Sequence, residues 1–138
     1  MSLQIFICDD DNIIVDKLQK YIIEYFKQRK LKVPKIFTYN NGEDLLHDSS
    51  DKDIVFLDIE MPGMNGVELA KKLRSENKLL QIVFITGYSE YIAEGYDVAA
   101  LHYLLKPVSA EKLYKVLDRA IEKIADDGKK LLFETADE

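Results

Sequence analysis

The chain has 138 residues, 47% hydrophobic and 32% charged, enough for one domain that buries its own core without staples. A formal net charge of −6 argues against a surface that grips nucleic acid unaided, because such binding rests on Lys and Arg. The single cysteine, Cys8, excludes an internal disulfide. No apolar run approaches the roughly 18 residues of a membrane span, and Met1–Gln4 lacks the features of a signal peptide, so a cytoplasmic protein is expected.

Short β-prone runs alternate with helical patterns along the chain. Ile5–Cys8 reads as a first strand, followed by Ile14, Leu18, Tyr21, Ile22 and Tyr25 at helical spacing, an amphipathic helix over about 12–28. Pro34 opens a second strand, Lys35–Tyr39; Asn41-Gly42 signals a turn, and a short helix starts at Gly42. Asp53–Leu57 is the third strand, and a helix over about Gly66–Arg74 presents Val67, Ala70 and Leu73 inward. Gln81–Ile85 and Leu101–Leu105 are strands four and five, with a short helix around Glu90–Tyr96 between them. The last helix carries a continuous stripe, Leu113, Val116, Leu117, Ala120, Ile121 and Ile124, with Ser109 as its N-cap. Periodicity fades at Asp126-Asp127-Gly128, and Leu131-Leu132-Phe133 is β-prone without a partner. Five β–α units predict an α/β fold, a doubly wound parallel sheet with helices on both faces in three layers. The unbroken apolar runs of strands three and four fit strands covered on both sides.

In such a sheet, ligands bind beyond the carboxyl ends of the strands, where the winding reverses. Strand one ends in Asp9-Asp10-Asp11, strand three in Asp58 with Glu60 just beyond, strand four in Thr86-Gly87 and strand five in Lys106-Pro107. Crowded carboxylates repel, so some hold protons or a cation sits among them. An oxygen-only donor set suits Mg²⁺ rather than Zn²⁺, and Mg²⁺ is commonly completed by phosphate oxygens. Thr86 would hydrogen-bond such a phosphate and Lys106 would pair with its charge, leaving Asp58 as the nucleophile that accepts a phosphoryl group.

Each residue taken singly has a plainer reading. An aspartate after a strand is usually a turn former or a cap, as expected here for Asp11, Asn12 and Asn65. Cys8 reads as a small hydrophobe, and His47 and His102 lack metal-ligand spacing. The Lys27-Arg29-Lys30-Lys32 cluster reads as the charge complement of a helix C-terminus, and the charges of the last helix as a solvated face. Agreement of four strand ends outweighs these separate readings.

The motifs "CDDD", "VFLDIEMPGMNG", "FITG" and "YLLKP", in this order and spacing, resemble the receiver domain of bacterial two-component response regulators over about residues 3–125. The resemblance implies a flavodoxin-like sheet of order 2-1-3-4-5 and a signalling phosphoacceptor that takes its phosphoryl group from a sensor histidine kinase. It implies Asp58 as phosphoacceptor, Asp10 as direct Mg²⁺ ligand, Asp9 as a water-mediated one and the Glu60 carbonyl as a third. Thr86 and Tyr103 would form the switch, Lys106 would pair with the phosphate, and the Lys106–Pro107 bond would be cis. Glu60 and Tyr88 would tune hydrolysis, the Tyr88 ring slowing it. Gly87 replaces the alanine common after the switch threonine. The family's mechanism repacks the face formed by the helix near Glu90–Tyr96, strand five and the last helix, which is also where a homodimer would form.

"YSEYIAEGYDVAALHYLLKPV" particularly resembles receivers joined to LytTR-type DNA-binding domains, and "KKLLFET" resembles the opening strand of such a domain. On this reading residues 1–125 are the receiver and 126–138 a linker or the start of an output domain that contacts DNA and regulates transcription. Competing readings are a stand-alone receiver, a degenerate receiver, a phosphatase using Asp58 as nucleophile, and a flavodoxin-like nucleotide binder. Glu60 stands where such phosphatases usually carry a second aspartate, and the last reading lacks a glycine-rich phosphate loop after strand one.

Overall fold

The computed structural model describes residues 3–87, 99–100 and 102–127. In chain order its elements are β1 (Gln4–Cys8), α1 (Asn12–Gln28), β2 (Lys35–Tyr39), α2 (Gly42–His47), β3 (Ile54–Asp58), α3 (Gly66–Glu76), β4 (Gln81–Thr86), β5 (His102–Leu105) and α4 (Ala110–Asp126). The expected helix near Glu90–Tyr96, Tyr88, Leu101 and the β-prone Leu131–Phe133 lie outside the described residues. The elements match the periodicity, with shifted ends: β3 takes in Asp58 rather than Asp53, β4 takes in Thr86, and α3 continues to Glu76.

The sheet order is β2-β1-β3-β4-β5, and every pairing is parallel. Alternation along each strand divides the core in two. Ile5, Ile7, Ile54, Phe56, Val83, Ile85 and Leu104 face α1 and α4, whereas Phe6, Cys8, Val55, Leu57, Ile82 and Phe84 face α2 and α3. Both faces of β1, β3 and β4 are therefore buried, which is why their sequences are apolar without a break. No helix among the described residues is long and apolar enough to cross a membrane.

Local chemistry sets the helix starts. Asp11 caps α1 by accepting from Ile13 N–H at 2.9 Å, and Ser109 caps α4 by accepting from Lys112 N–H at 3.2 Å. Asn65 and Glu68 form a capping box at α3: Asn65 Oδ1 accepts from Glu68 N–H at 2.9 Å, and Glu68 Oε1 accepts from Asn65 N–H at 3.1 Å.

Two surface readings hold, and each side chain involved does more besides. Of the basic cluster near residue 30, Lys27 lies in the last turn of α1 and Arg29 is its C-cap residue. Arg29 donates to the Tyr25 carbonyl at 3.2 Å, as a cation at a helix C-terminus should, and its guanidinium also lies 3.7 Å from the Tyr25 ring centroid and 5.3 Å from that of Tyr114 on α4. The charged residues of α4 are exposed, and among them Asp118 also accepts a 2.5 Å hydrogen bond from Tyr25 Oη–H. The group clasps the first helix to the last. Burial first, and then Asp118, pushes the Tyr25 hydroxyl pKa up.

Removing that hydroxyl deletes a charge-assisted hydrogen bond, while Asp118 keeps access to water. Tyr25→Phe is therefore expected to lower stability by about 1–2 kcal/mol, read as a lower urea midpoint at unchanged slope.

Candidate functional site

The carboxyl edge of the sheet is built by register. Cys8 pairs with Leu57, Asp58 with Ile85 and Thr86 with Leu105, so Asp9, Asp58, Thr86 and Lys106 leave their strands at one level. The ladder runs on past the strand ends. Asp9 N–H donates to Tyr39 O at 3.1 Å, Ile59 N–H to Ile85 O at 3.2 Å and Lys106 N–H to Thr86 O at 2.8 Å. These bonds fix the backbone on which the polar side chains stand.

Two of the acids are buried. Asp9 is 0% exposed and Asp58 3%, and the Lys106 ammonium stands between them, 3.3 Å from Asp9 Oδ2 and 3.4 Å from Asp58 Oδ1. The other Asp9 oxygen accepts from Asp11 N–H at 2.9 Å. Asp10, the next residue in sequence, is exposed, and Asp9, Asp10 and Asp58 each offer an oxygen within 4.8 Å of the others. Thr86, the last residue of β4, is buried, and Lys106–Pro107 is a cis peptide bond.

The electrostatics follow from one ammonium set against two buried carboxylates. Burial, and then the charge of Asp9, raises the Asp58 pKa to about 7 in spite of Lys106. Burial raises Asp9 as well, opposed by its backbone hydrogen bond and by Lys106. Burial alone would lower Lys106, but Asp58 and Asp9 together outweigh it and raise its pKa. The donor set is oxygen, negative and incompletely neutralised, which fits a hard divalent cation. The nearby Cys8 thiol, raised to about 12 by burial and then by Asp9 and Asp58, is inert; its Sγ lies 3.7 Å from Met61 Sδ.

Of the remaining residues named from sequence, Glu60 is exposed on the β3–α3 loop. Tyr103 is half-buried and stacks on Phe84, with ring centroids 5.3 Å apart. A Cβ on Gly87 would meet nothing within 4 Å among the described residues. His102 approaches Arg119 at 3.3 Å, where burial and then Arg119 lower its pKa.

Sequence reasoning passed over two residues. Gly66 opens α3 so close to β3 that a Cβ there would lie 2.2 Å from the Asp58 carbonyl oxygen. Its position directly after a capping asparagine is the signal that could have found it. Glu43 on α2 accepts from Met64 N–H at 3.2 Å across 21 residues, a contact no local pattern announces.

A doubly wound parallel sheet with an acid–ammonium cluster at its carboxyl edge defines a flavodoxin-like domain. The family model for the response regulator receiver domain matches residues 5–118, and the chain belongs to that family. The sensory transduction protein LytT of Oceanobacillus iheyensis is 33% identical over 123 residues, covering 86% of this chain and 48% of that protein. The positive alginate biosynthesis regulatory protein of Pseudomonas aeruginosa is 32% identical over 120 residues, covering 86% and 47%. The chain thus spans about half the length of these curated relatives. Among solved structures, the receiver domain of AraT, a response regulator from Geobacillus stearothermophilus, has a TM-score of 0.80 at 28% identity, covering 92% of this chain and 98% of that one. TrrA of Thermotoga maritima, solved in complex with Mg²⁺-BeF, has a TM-score of 0.67 at 29% identity, covering 86% and 98%.

Two outcomes follow from this geometry. In the metal-free protein, neutral Asp58 favours the fold fully below about pH 4, and that contribution is lost as pH rises through about 7. Asp58→Asn keeps the neutral shape, so thermal melts should show it more stable than wild type at about pH 8, with the difference shrinking toward about pH 4. Gly66→Ala gains about 1 kcal/mol of helix propensity but must displace the backbone at Asp58, an overpacking cost of about 1–3 kcal/mol or more. Net destabilisation is expected, seen as a lower urea midpoint.

Proposed function

We propose that this domain accepts a phosphoryl group on Asp58 from a sensor histidine kinase and passes the change to an output. The observation that carries this reading is the Lys106 ammonium held within 3.4 Å of two buried carboxylates at the end of the central strands. Asp58 is the last residue of the buried central strand β3, so its backbone is held firmly. One Asp58 oxygen attacks phosphorus, forming a P–O bond as the donor's bond to phosphorus breaks and its electron pair leaves with the donor. Lys106 then turns from its ion pair with Asp58 to the phosphoryl oxygens, and the Thr86 hydroxyl donates to another. Bound Mg²⁺, held by Asp10 and Asp58 with Asp9 behind and the Glu60 carbonyl completing the set, would neutralise charge among the carboxylates and phosphoryl oxygens. Support for the ion comes from the fit of the donor set and from TrrA, solved with Mg²⁺-BeF.

In this reading Thr86 is drawn toward the new charge, roughly −1.5 to −2, and Tyr103 moves with it. The face formed by β5 and α4 then changes partner, a homodimer among them. Glu60 and Tyr88 tune hydrolysis, and the chemistry is stoichiometric rather than enzymatic turnover. Residues 1–125 are the receiver and 126–138 lead to an output domain. Because the relatives include LytT and an alginate biosynthesis regulator about twice as long, the whole protein is read as a cytoplasmic transcription regulator whose other half contacts DNA.

Incubation with acetyl phosphate and Mg²⁺ is expected to add one phosphoryl group per chain by intact mass, lost on adding a chelator and absent from Asp58→Asn. Continuous turnover of a phosphate ester would favour the phosphatase reading, and a folded, Mg²⁺-supplied chain that stays unmodified would exclude the phosphoacceptor role.

A further inference from the structure

Glu43, the second residue of α2, stands apart from the acid–ammonium cluster but holds the loop that leaves it. Its Oε2 accepts from Met64 N–H at 3.2 Å, and the same oxygen lies 3.1 Å from where a Cβ on Gly63 would project. Gly63 has φ +76°, a conformation glycine adopts without steric cost, so both backbone and space at this turn are fitted to the carboxylate. The Met64 side chain closes the contact from the other side: a Cβ on Gly42 would meet Met64 Sδ at 3.4 Å.

The β3–α3 loop is pinned at its root by Ile59 N–H to Ile85 O at 3.2 Å and by Gly66 N–H to Ile59 O at 2.9 Å. Its far end is pinned by the Asn65–Glu68 capping box. Glu43 adds an anchor from a different element, within four residues of Glu60. A carboxylate accepting a backbone N–H makes a charge-assisted hydrogen bond, stronger than a neutral one.

We infer that Glu43 is a positioning residue for the divalent-cation site, fixing through Met64 N–H the path of the 60–64 turn and so the reach of the Glu60 main chain toward Asp10 and Asp58. The inference rests on the Mg²⁺ reading above. Mg²⁺ demands near-ideal octahedral geometry, so a main-chain ligand that drifts weakens binding even when every carboxylate remains. The carboxylate also brings negative charge near the site, since the Cys8 thiol senses it after burial, Asp9 and Asp58. Positioning and charge are separated by Glu43→Gln, which keeps the acceptor oxygen and removes the charge, against Glu43→Ala, which removes both.

Mg²⁺ titration of the whole chain by calorimetry, with circular dichroism melts beside it, tests this. Glu43→Ala is expected to bind Mg²⁺ about tenfold more weakly, at the low end for loss of a group that orients a ligand, and Glu43→Gln to stay within about twofold of wild type. Equal weakening in both variants assigns the effect to charge and overturns positioning. Wild-type affinity in Glu43→Ala, even with a lowered melting temperature, makes Glu43 merely structural and also overturns it. Failure of the wild-type chain to bind Mg²⁺ would instead remove the reading of the acidic cluster itself.

Discussion

Burying Asp9 and Asp58 side by side is tolerated because Lys106 stands against both of them. Like charges in a poorly solvated site raise each other's pKa, and one ammonium cannot cancel two carboxylates. Burial is the first cause of the upward shifts of Asp58 and Asp9, and neighbouring carboxylates, exposed Asp10 among them, add to it. The acids carry negative charge that their own residues leave uncancelled, the condition that suits a divalent cation.

Holding such a cluster requires backbone that does not yield. Hydrogen bonds that extend the sheet beyond its last strand residues supply that stiffness, as does the close seating of Gly66 on the Asp58 carbonyl. The central strands are buried on both faces, so Asp58 is presented from the least deformable part of the molecule. Small displacements at the edge would therefore have to be absorbed by loops and by half-buried groups such as Tyr103, which stacks on Phe84 rather than lying within the central core.

Helices α1 and α4 are joined to each other on one face of the sheet. Tyr25, Arg29, Tyr114 and Asp118 bind α1 to α4 with a hydrogen bond and stacked cation contacts. This clasp combines apolar ring area with a charge pair whose members remain partly in water, which limits what the pair contributes and leaves most of the hold to packing. The last helix is thereby tied to the first on one side while β5 borders its other side.

The order of elements, the two-sided burial of β3 and β4 and the identity of the acids, hydroxyl and amine at the strand ends were all determined by sequence, because periodicity and capping are local and the four motifs hold fixed spacing. Sequence also marked Asn65 and Ser109 as caps, since each bonds within three residues of itself. Tertiary structure alone decided that Asp9 is buried and its neighbour Asp10 exposed, that Lys106 bridges acids from two strands, and that Asp58 is pushed toward neutrality. It alone joined Glu43 to Met64 and Tyr25 to Asp118. These outcomes depend on distances between segments 21 to 93 residues or more apart, and on how much water reaches each charge, quantities that exist only once the sheet has brought its edges together.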